Sequence, residues 1–119
     1  MIKAYKIYTG SDGHSHIVSG SVSESYLTSA TAISFNETKA CSSYDWHTAP
    51  LTQYVICLKG TLLFETRLGE TFILRPGEIL IAMDTTGTGH KWKLIDDEPW
   101  RRAYVVFDDN AQINFVEDE

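Results

Sequence analysis

Punctuation is the feature that most constrains this chain. Short apolar runs alternate with glycine- or proline-bearing breaks, and no stretch carries apolar residues at a helical period. Lys59-Gly60, Leu68-Gly69 and Pro76-Gly77 interrupt the middle of the sequence, and such pairs supply the backbone dihedrals that tight connections need. The runs between them predict strands over residues 6–9, 31–35, 53–58, 61–67, 71–75, 79–83, 90–95 and 102–107. Strands this short and this evenly spaced imply an all-β sandwich or barrel. Asp96-Asp97-Glu98-Pro99 reads as a polar loop before the last long strand. Asp108-Asp109-Asn110 opens a C-terminal tail that either folds back or frays.

With 119 residues the chain is expected to form one domain, large enough to bury about two-thirds of its unfolded surface and to enclose a cavity. Its 43% hydrophobic and 22% charged residues, without a long polar tract, belong to a globular chain. A formal net charge of −6 argues against nucleic acid or an anionic membrane as partner, because phosphate binding rests on a positive field. Lys91/Lys93 and Arg101/Arg102 are local basic exceptions. On a strand Lys91 and Lys93 alternate with His90 and Trp92 and so face solvent. Residues 1–6 contain no apolar leader, and no window approaches the ~20 apolar residues of a spanning helix, so a cytoplasmic chain is expected. Cys41 and Cys57 show no disulfide framework, and Cys57 lies in an apolar run that reads as core.

Alternation selects the groups that face inward. His90, Trp92 and Leu94 share one face, and the apolar pair draws the histidine inside with them. Gln53, Val55 and Cys57 share a face in the same way. Tyr54, Ile56 and Leu58 are apolar too, so this strand is expected to be covered on both sides and periodicity does not choose between them.

Two polar segments flank these strands. The first opens Trp46-His47-Thr48-Ala49-Pro50 and runs through Gln53 to Gly60. The second begins Arg75-Pro76-Gly77-Glu78 and closes Asp84-Thr85-Thr86-Gly87-Thr88-Gly89-His90. Together they resemble the two motifs of the cupin family. The first family motif carries a His-x-His pair, a glutamate and a closing glycine; the second carries a glycine, Pro-x-Gly, a histidine and an asparagine. Anchored on Gly60, Gln53 takes the glutamate position, His47 the first histidine and Ala49 the second. In the second motif His90 keeps its spacing from the glycine, Thr85 replaces the proline and Leu94 replaces the asparagine. The resemblance implies a single-domain jelly-roll β-barrel over residues 1–119, with motif one near 46–60 and motif two near 75–94. It also implies a homodimer.

In the family, imidazoles and a carboxylate hold a divalent transition metal with open positions. The matching set here is His47, Gln53 and His90. An amide in place of the carboxylate adds no charge, so the resemblance leaves two states open: a metal-free pocket, or one holding Fe, Zn, Mn or Ni. Trp46, His47, Gln53, Thr85, His90 and Trp92 are the expected ligand-binding residues. Each histidine is also readable as a hydrogen-bonded core group, and each tryptophan as core packing. Asp84 reads as the cap of a tight turn and Thr88 as bonded to local backbone, with orientation of a ligand by this glycine-bearing loop as the alternative; Thr85 is kept for the pocket. His14-Ser15-His16 reads as a surface turn, with completion of the site by one of its histidines as the alternative.

Three functions are consistent with this set. The first is a metal-poor cupin that binds a small organic molecule. The second is an enzyme, either a metal-dependent oxygenase or a metal-independent isomerase or lyase in which His47 or His90 moves a proton, as a group titrating near ambient pH can. The third is an interaction module with a vestigial pocket. No matched Ser-His-Asp order, phosphate loop or dinucleotide fingerprint points to hydrolase or nucleotide chemistry.

Overall fold

The computed structural model describes residues 1–108 and 110–119, and every regular element among them is a strand. In chain order these are β1 (Ile2–Thr9), β2 (Ser15–Val22), β3 (Ala30–Thr38), β4 (Ser43–His47), β5 (Gln53–Lys59), β6 (Leu62–Thr66), β7 (Thr71–Leu74), β8 (Ile79–Ala82), β9 (His90–Leu94), β10 (Trp100–Phe107) and β11 (Val116–Glu117). Seven of them form a large sheet in the order β11-β2-β1-β8-β5-β10-β3, and β4-β9-β6-β7 form a smaller one. The β1–β8 pair is parallel, whereas the flanking β1–β2 and β5–β8 pairs are antiparallel. The all-β expectation therefore holds, as a two-sheet β-sandwich. Among the described residues no helix is long and apolar enough to cross a membrane.

The principal core lies between the sheets. Ile7, Val55, Cys57 and Leu80 from the large sheet meet Leu62, Phe64, Phe72, Leu74, Trp92 and Leu94 from the small one. Phe64 stacks on Phe72 with ring centroids 4.9 Å apart, and Trp92 meets Trp100 edge-on at 4.8 Å. A second cluster of Ala4, Val22, Ile81 and Phe107 packs on the opposite face of the large sheet, where Ile113 and Phe115 of the C-terminal tail cover it. This double covering explains why β5 is apolar on both sides: Val55 and Cys57 face the first core, while Tyr54 packs against the second.

Eight of these strands lie where the sequence predicts them, with ends shifted by a few residues; β2, β4 and β11 lack a comparable signal. Ser15–Val22 contains three serines and a glycine, yet it pairs along its whole length with β1, from Ile2↔Val22 to Thr9↔Ser15. The expected surface turn at 14–16 therefore gives way to a turn at 10–13, with His16 on a strand. Ser43–His47 has no apolar alternation and becomes a strand by pairing with β9. The tail folds back, as β11 pairs with β2. Cys57 is buried and Cys41 is exposed, and both thiols are free. Burial pushes the Cys57 thiol up to about 11.

β3 forms an edge of the large sheet, bonded on one side only, to β10. Its Ile33 and Phe35 are exposed. Leu74, by contrast, has no exposed surface and sits at the centre of the inter-sheet core. Leu74→Ala is expected to lower unfolding free energy by about 2–5 kcal/mol, read from urea denaturation at constant slope; a loss below about 1 kcal/mol would show that the sheets are not held by this core.

Candidate active site

Between the two sheets lies a cavity of about 340 Å³ whose wall includes His47, Gln53, His90, Trp92, Arg102 and Tyr104. The sheets supply different chemistry. The small sheet contributes His47, at the end of β4, and His90, at the start of β9, directly paired across the ladder. The large sheet contributes Gln53 from β5 and Arg102 and Tyr104 from β10. A larger groove of about 450 Å³ lies on the outer face of the small sheet, lined by alternates such as Glu65, Lys91 and Lys93, and contains neither histidine. The inter-sheet cavity is the candidate site because polar groups converge there on apolar walls.

The imidazoles of His47 and His90 stand with ring centroids 4.4 Å apart. His90 is 4% exposed, and its Nδ1 lies 2.8 Å from Asp84 Oδ2. A carboxylate oxygen accepts, so Nδ1 carries a hydrogen, and in the neutral ring the lone pair then lies on Nε2. Asp84 has no exposed surface. Its Oδ2 also accepts from Ser15 Oγ at 2.7 Å, and Ser15 Oγ accepts in turn from the Gly89 amide at 3.0 Å. His47 Nδ1 is 2.7 Å from the Asp45 carbonyl oxygen. That oxygen also only accepts, so His47 is the same tautomer. Both Nε2 atoms lack a partner within the described protein and both retain accessible surface.

Local backbone makes this approach feasible. Gly89 has φ +92°, and a Cβ there would stand 2.8 Å from the His47 carbonyl oxygen. Gly87 lies so close to Ser15 that a Cβ would overlap its hydroxyl. These glycines let the 84–89 loop press against both the start of β2 and the end of β4. Tyr44 packs on His47 at 4.3 Å between ring centroids and limits its movement.

Of the residues expected at the site, His47, Gln53, His90 and Trp92 line the cavity, together with Ala49 in the second-histidine position. Trp46 does not: it lies on the outer surface, flanked by Arg67 and Lys91 at 4.2 and 4.8 Å from its ring centroid. Thr85 is exposed on the loop and outside the cavity wall. Asp84 orients His90 from a fully buried position rather than capping an exposed turn. Thr88 bonds the distant Ser15 amide rather than local backbone. His14 and His16 stay away from the cavity; His16 Nε2 lies 2.8 Å from Asp12 and its Nδ1 3.2 Å from Glu70.

Sequence reading misses Ser15, Asp84, Arg102 and Tyr104. A dipeptide of arginines beside a tryptophan looks like a solvated strand end, and only the inward alternation of Arg102 with Tyr104 hints at their cavity positions.

The donor set does not fit a family-type metal centre. Among the described residues no cluster of three or more His, Cys, Asp or Glu side chains is arranged to hold a metal. His47 and His90 add only the neutral amide of Gln53, and the Asp84 carboxylate is turned to Nδ1 of His90. Three or four imidazole, thiolate or carboxylate ligands are the usual requirement, and an amide is a weak substitute for any of them.

Comparison with known proteins agrees at the level of fold. A DUF861 family protein from Thermotoga maritima is 23% identical and superposes with a TM-score of 0.51, over 62% of this chain and 77% of that one. An uncharacterized conserved protein with a double-stranded β-helix domain from Klebsiella pneumoniae is 22% identical, with a TM-score of 0.52 over 94% of this chain and 90% of that one. No protein-family model and no curated protein matches the chain. The fold is thus the double-stranded β-helix, the cupin-like jelly roll that the two motifs imply.

Burial holds His47 below its ordinary value of 6.5, and the nearby His90 ring works in the same direction. Between that depressed value and 6.5 the unfolded chain binds the proton and the folded chain does not, so stability falls as pH drops through the window. His16 is raised, mainly by its hydrogen bond to Asp12, and contributes stability present below 6.5 that fades as pH rises through its higher value. The two oppose each other, so a difference measurement isolates His47. His47→Gln is expected to lose less Tm than the wild type between about pH 7 and about pH 5. Parallel Tm profiles would show that His47 is as readily protonated in the fold as outside it.

Proposed function

We propose that this protein binds a small polar organic molecule between its sheets and that the His47–His90 pair moves a proton on it. The observation that carries the reading is the pair itself: two imidazoles 4.4 Å apart in one cavity, each anchored through Nδ1 and each with a free Nε2. Burial favours the neutral ring of His47, which suits it to accept a proton. Asp84 is positioned to balance charge that develops on the His90 ring during transfer. Rings this close resist double protonation, so the pair works as one proton-carrying unit.

The chemistry this supports is metal-independent isomerisation or elimination, in which a C–H proton beside a carbonyl passes to an imidazole and is returned or lost. Ligands found by thermal shift would be incubated with the protein in deuterated water and followed by NMR. Deuterium should enter a ligand C–H position with the wild type, at a rate unchanged by chelator. His47→Ala and His90→Ala should each slow it by about 10²–10⁴-fold. A bound ligand recovered without exchange would reduce the protein to a binding module, and exchange abolished by chelator would restore a metal reading.

The homodimer belongs to the same reading. The β3 edge offers unpaired backbone groups beside exposed Ile33 and Phe35, the arrangement through which a second copy adds strand to strand. Phe35→Lys is expected to convert a dimer into a monomer in sedimentation velocity with Tm little changed; a wild-type monomer would refute the pairing.

A further inference from the structure

Arg102 is 7% exposed, and no ion pair among the described residues includes it. Its neighbour Arg101, pointing outward, pairs with Glu37 at 2.5 Å. A guanidinium does not deprotonate in a protein, and a buried charge without a counter-charge is costly.

The side chain is nonetheless firmly held. Arg102 Nε donates to the Tyr104 hydroxyl at 2.9 Å, and Nη1 donates to Thr38 Oγ1 at 2.6 Å and to the Trp100 carbonyl at 3.2 Å. Its Cζ lies 3.9 Å from the Trp100 ring centroid. A guanidinium carries five N–H donors. The contacts occupy those on Nε and Nη1 and leave the pair on Nη2. That nitrogen has no protein partner among the described residues and is not sealed from solvent. Gln53, also 7% exposed, presents an amide with no protein hydrogen bond to the same cavity.

We propose that the ligand of this cavity is a small organic acid whose carboxylate binds Arg102, an inference that rests on the function proposed above and names its substrate class. Arg102 is the single permanently charged side chain in the cavity wall among the described residues. Its one positive charge and its free Nη2 donors match a carboxylate, which takes charge-assisted hydrogen bonds from a planar fork. A phosphate dianion calls on more cationic or backbone N–H donors than this wall contains. Gln53 offers its amide to a second polar group of the acid. With the carboxylate held on the large sheet, the rest of a short acid faces the imidazoles of the small sheet, where a C–H beside its hydroxyl or keto carbon can pass its proton to an Nε2.

The test uses the full chain and a panel of short hydroxy and keto acids, their primary amides, and inorganic phosphate. Binding would be read by calorimetry and by the side-chain Nε–H resonance of Arg102 in the wild-type protein. Acids should bind, shift that resonance, and outbind their amides by on the order of tenfold to a hundredfold. Arg102→Gln, checked for folding by circular dichroism, should remove that preference by weakening the acids far more than the amides. The wild-type resonance and the acid–amide comparison decide the matter even if the variant does not fold. Equal binding of acids and amides, or acid binding without movement of the Arg102 resonance, would overturn the inference. Phosphate binding as tightly as the acids would overturn the carboxylate assignment. Neutral molecules that bind and exchange deuterium while acids do not would overturn this inference alone and leave the proposed proton transfer standing.

Discussion

The Asp84 carboxylate holds the working end of the molecule together. A fully buried anion needs donors, and Asp84 receives two on Oδ2: the Ser15 hydroxyl from the start of β2, 69 residues away, and the His90 ring at the start of β9, while Oδ1 has no protein partner among the described residues. The Gly89 amide completes the relay by donating to Ser15, so each hydrogen bond polarises the next. Ser15 starts β2 and Asp84 follows β8, both strands of the large sheet, and His90 starts β9 of the small one, so the relay ties strand ends of the two sheets together beside the cavity. Gly87 and Gly89 are needed because the backbone must approach Ser15 and His47 more closely than a Cβ allows.

With that edge fixed, the two walls of the cavity carry separate tasks. The small sheet brings two imidazoles whose Nδ1 atoms are committed to structural acceptors, which leaves only Nε2 free on each. The large sheet brings a guanidinium committed at Nε and Nη1, which leaves only Nη2 without a protein partner. In each case a fixed partner converts a flexible polar side chain into an oriented one, which lowers the ordering cost of binding. Apolar Val55, Phe64 and Leu80 fill the wall between them.

How far the sequence reached can be judged residue by residue. Trp92 and Leu94 on β9 alternate with lysines strongly enough to mark an inward face, and it is found inside; on β5 both sides are apolar, periodicity does not choose, and packing turns Val55 and Cys57 to the inter-sheet core. β2 escaped notice because Ser-His-Ile-Val-Ser-Gly-Ser-Val has weak strand propensity; pairing with β1, and with β11 on its other side, makes it a strand. Trp46 was expected in the pocket beside His47, yet adjacent strand residues face opposite ways, and the histidine takes the inner side. Asp84 looked like a turn residue because its local neighbours are threonine and glycine. Its actual partners lie 69 residues away, at Ser15, and 6 residues away, at His90.

By itself, then, the chain determined an all-β class, most of its strand positions, and the inward placement of His90, since strand periodicity and turn residues are local properties. Only the tertiary structure decided which polar groups meet: His47 with His90, Asp84 with Ser15, and Arg102 with a cavity instead of a carboxylate. Those encounters depend on sheet order, on register across β4 and β9, and on the closeness that two glycines permit. Such distances are set by packing between segments far apart in the chain, and no local pattern encodes them.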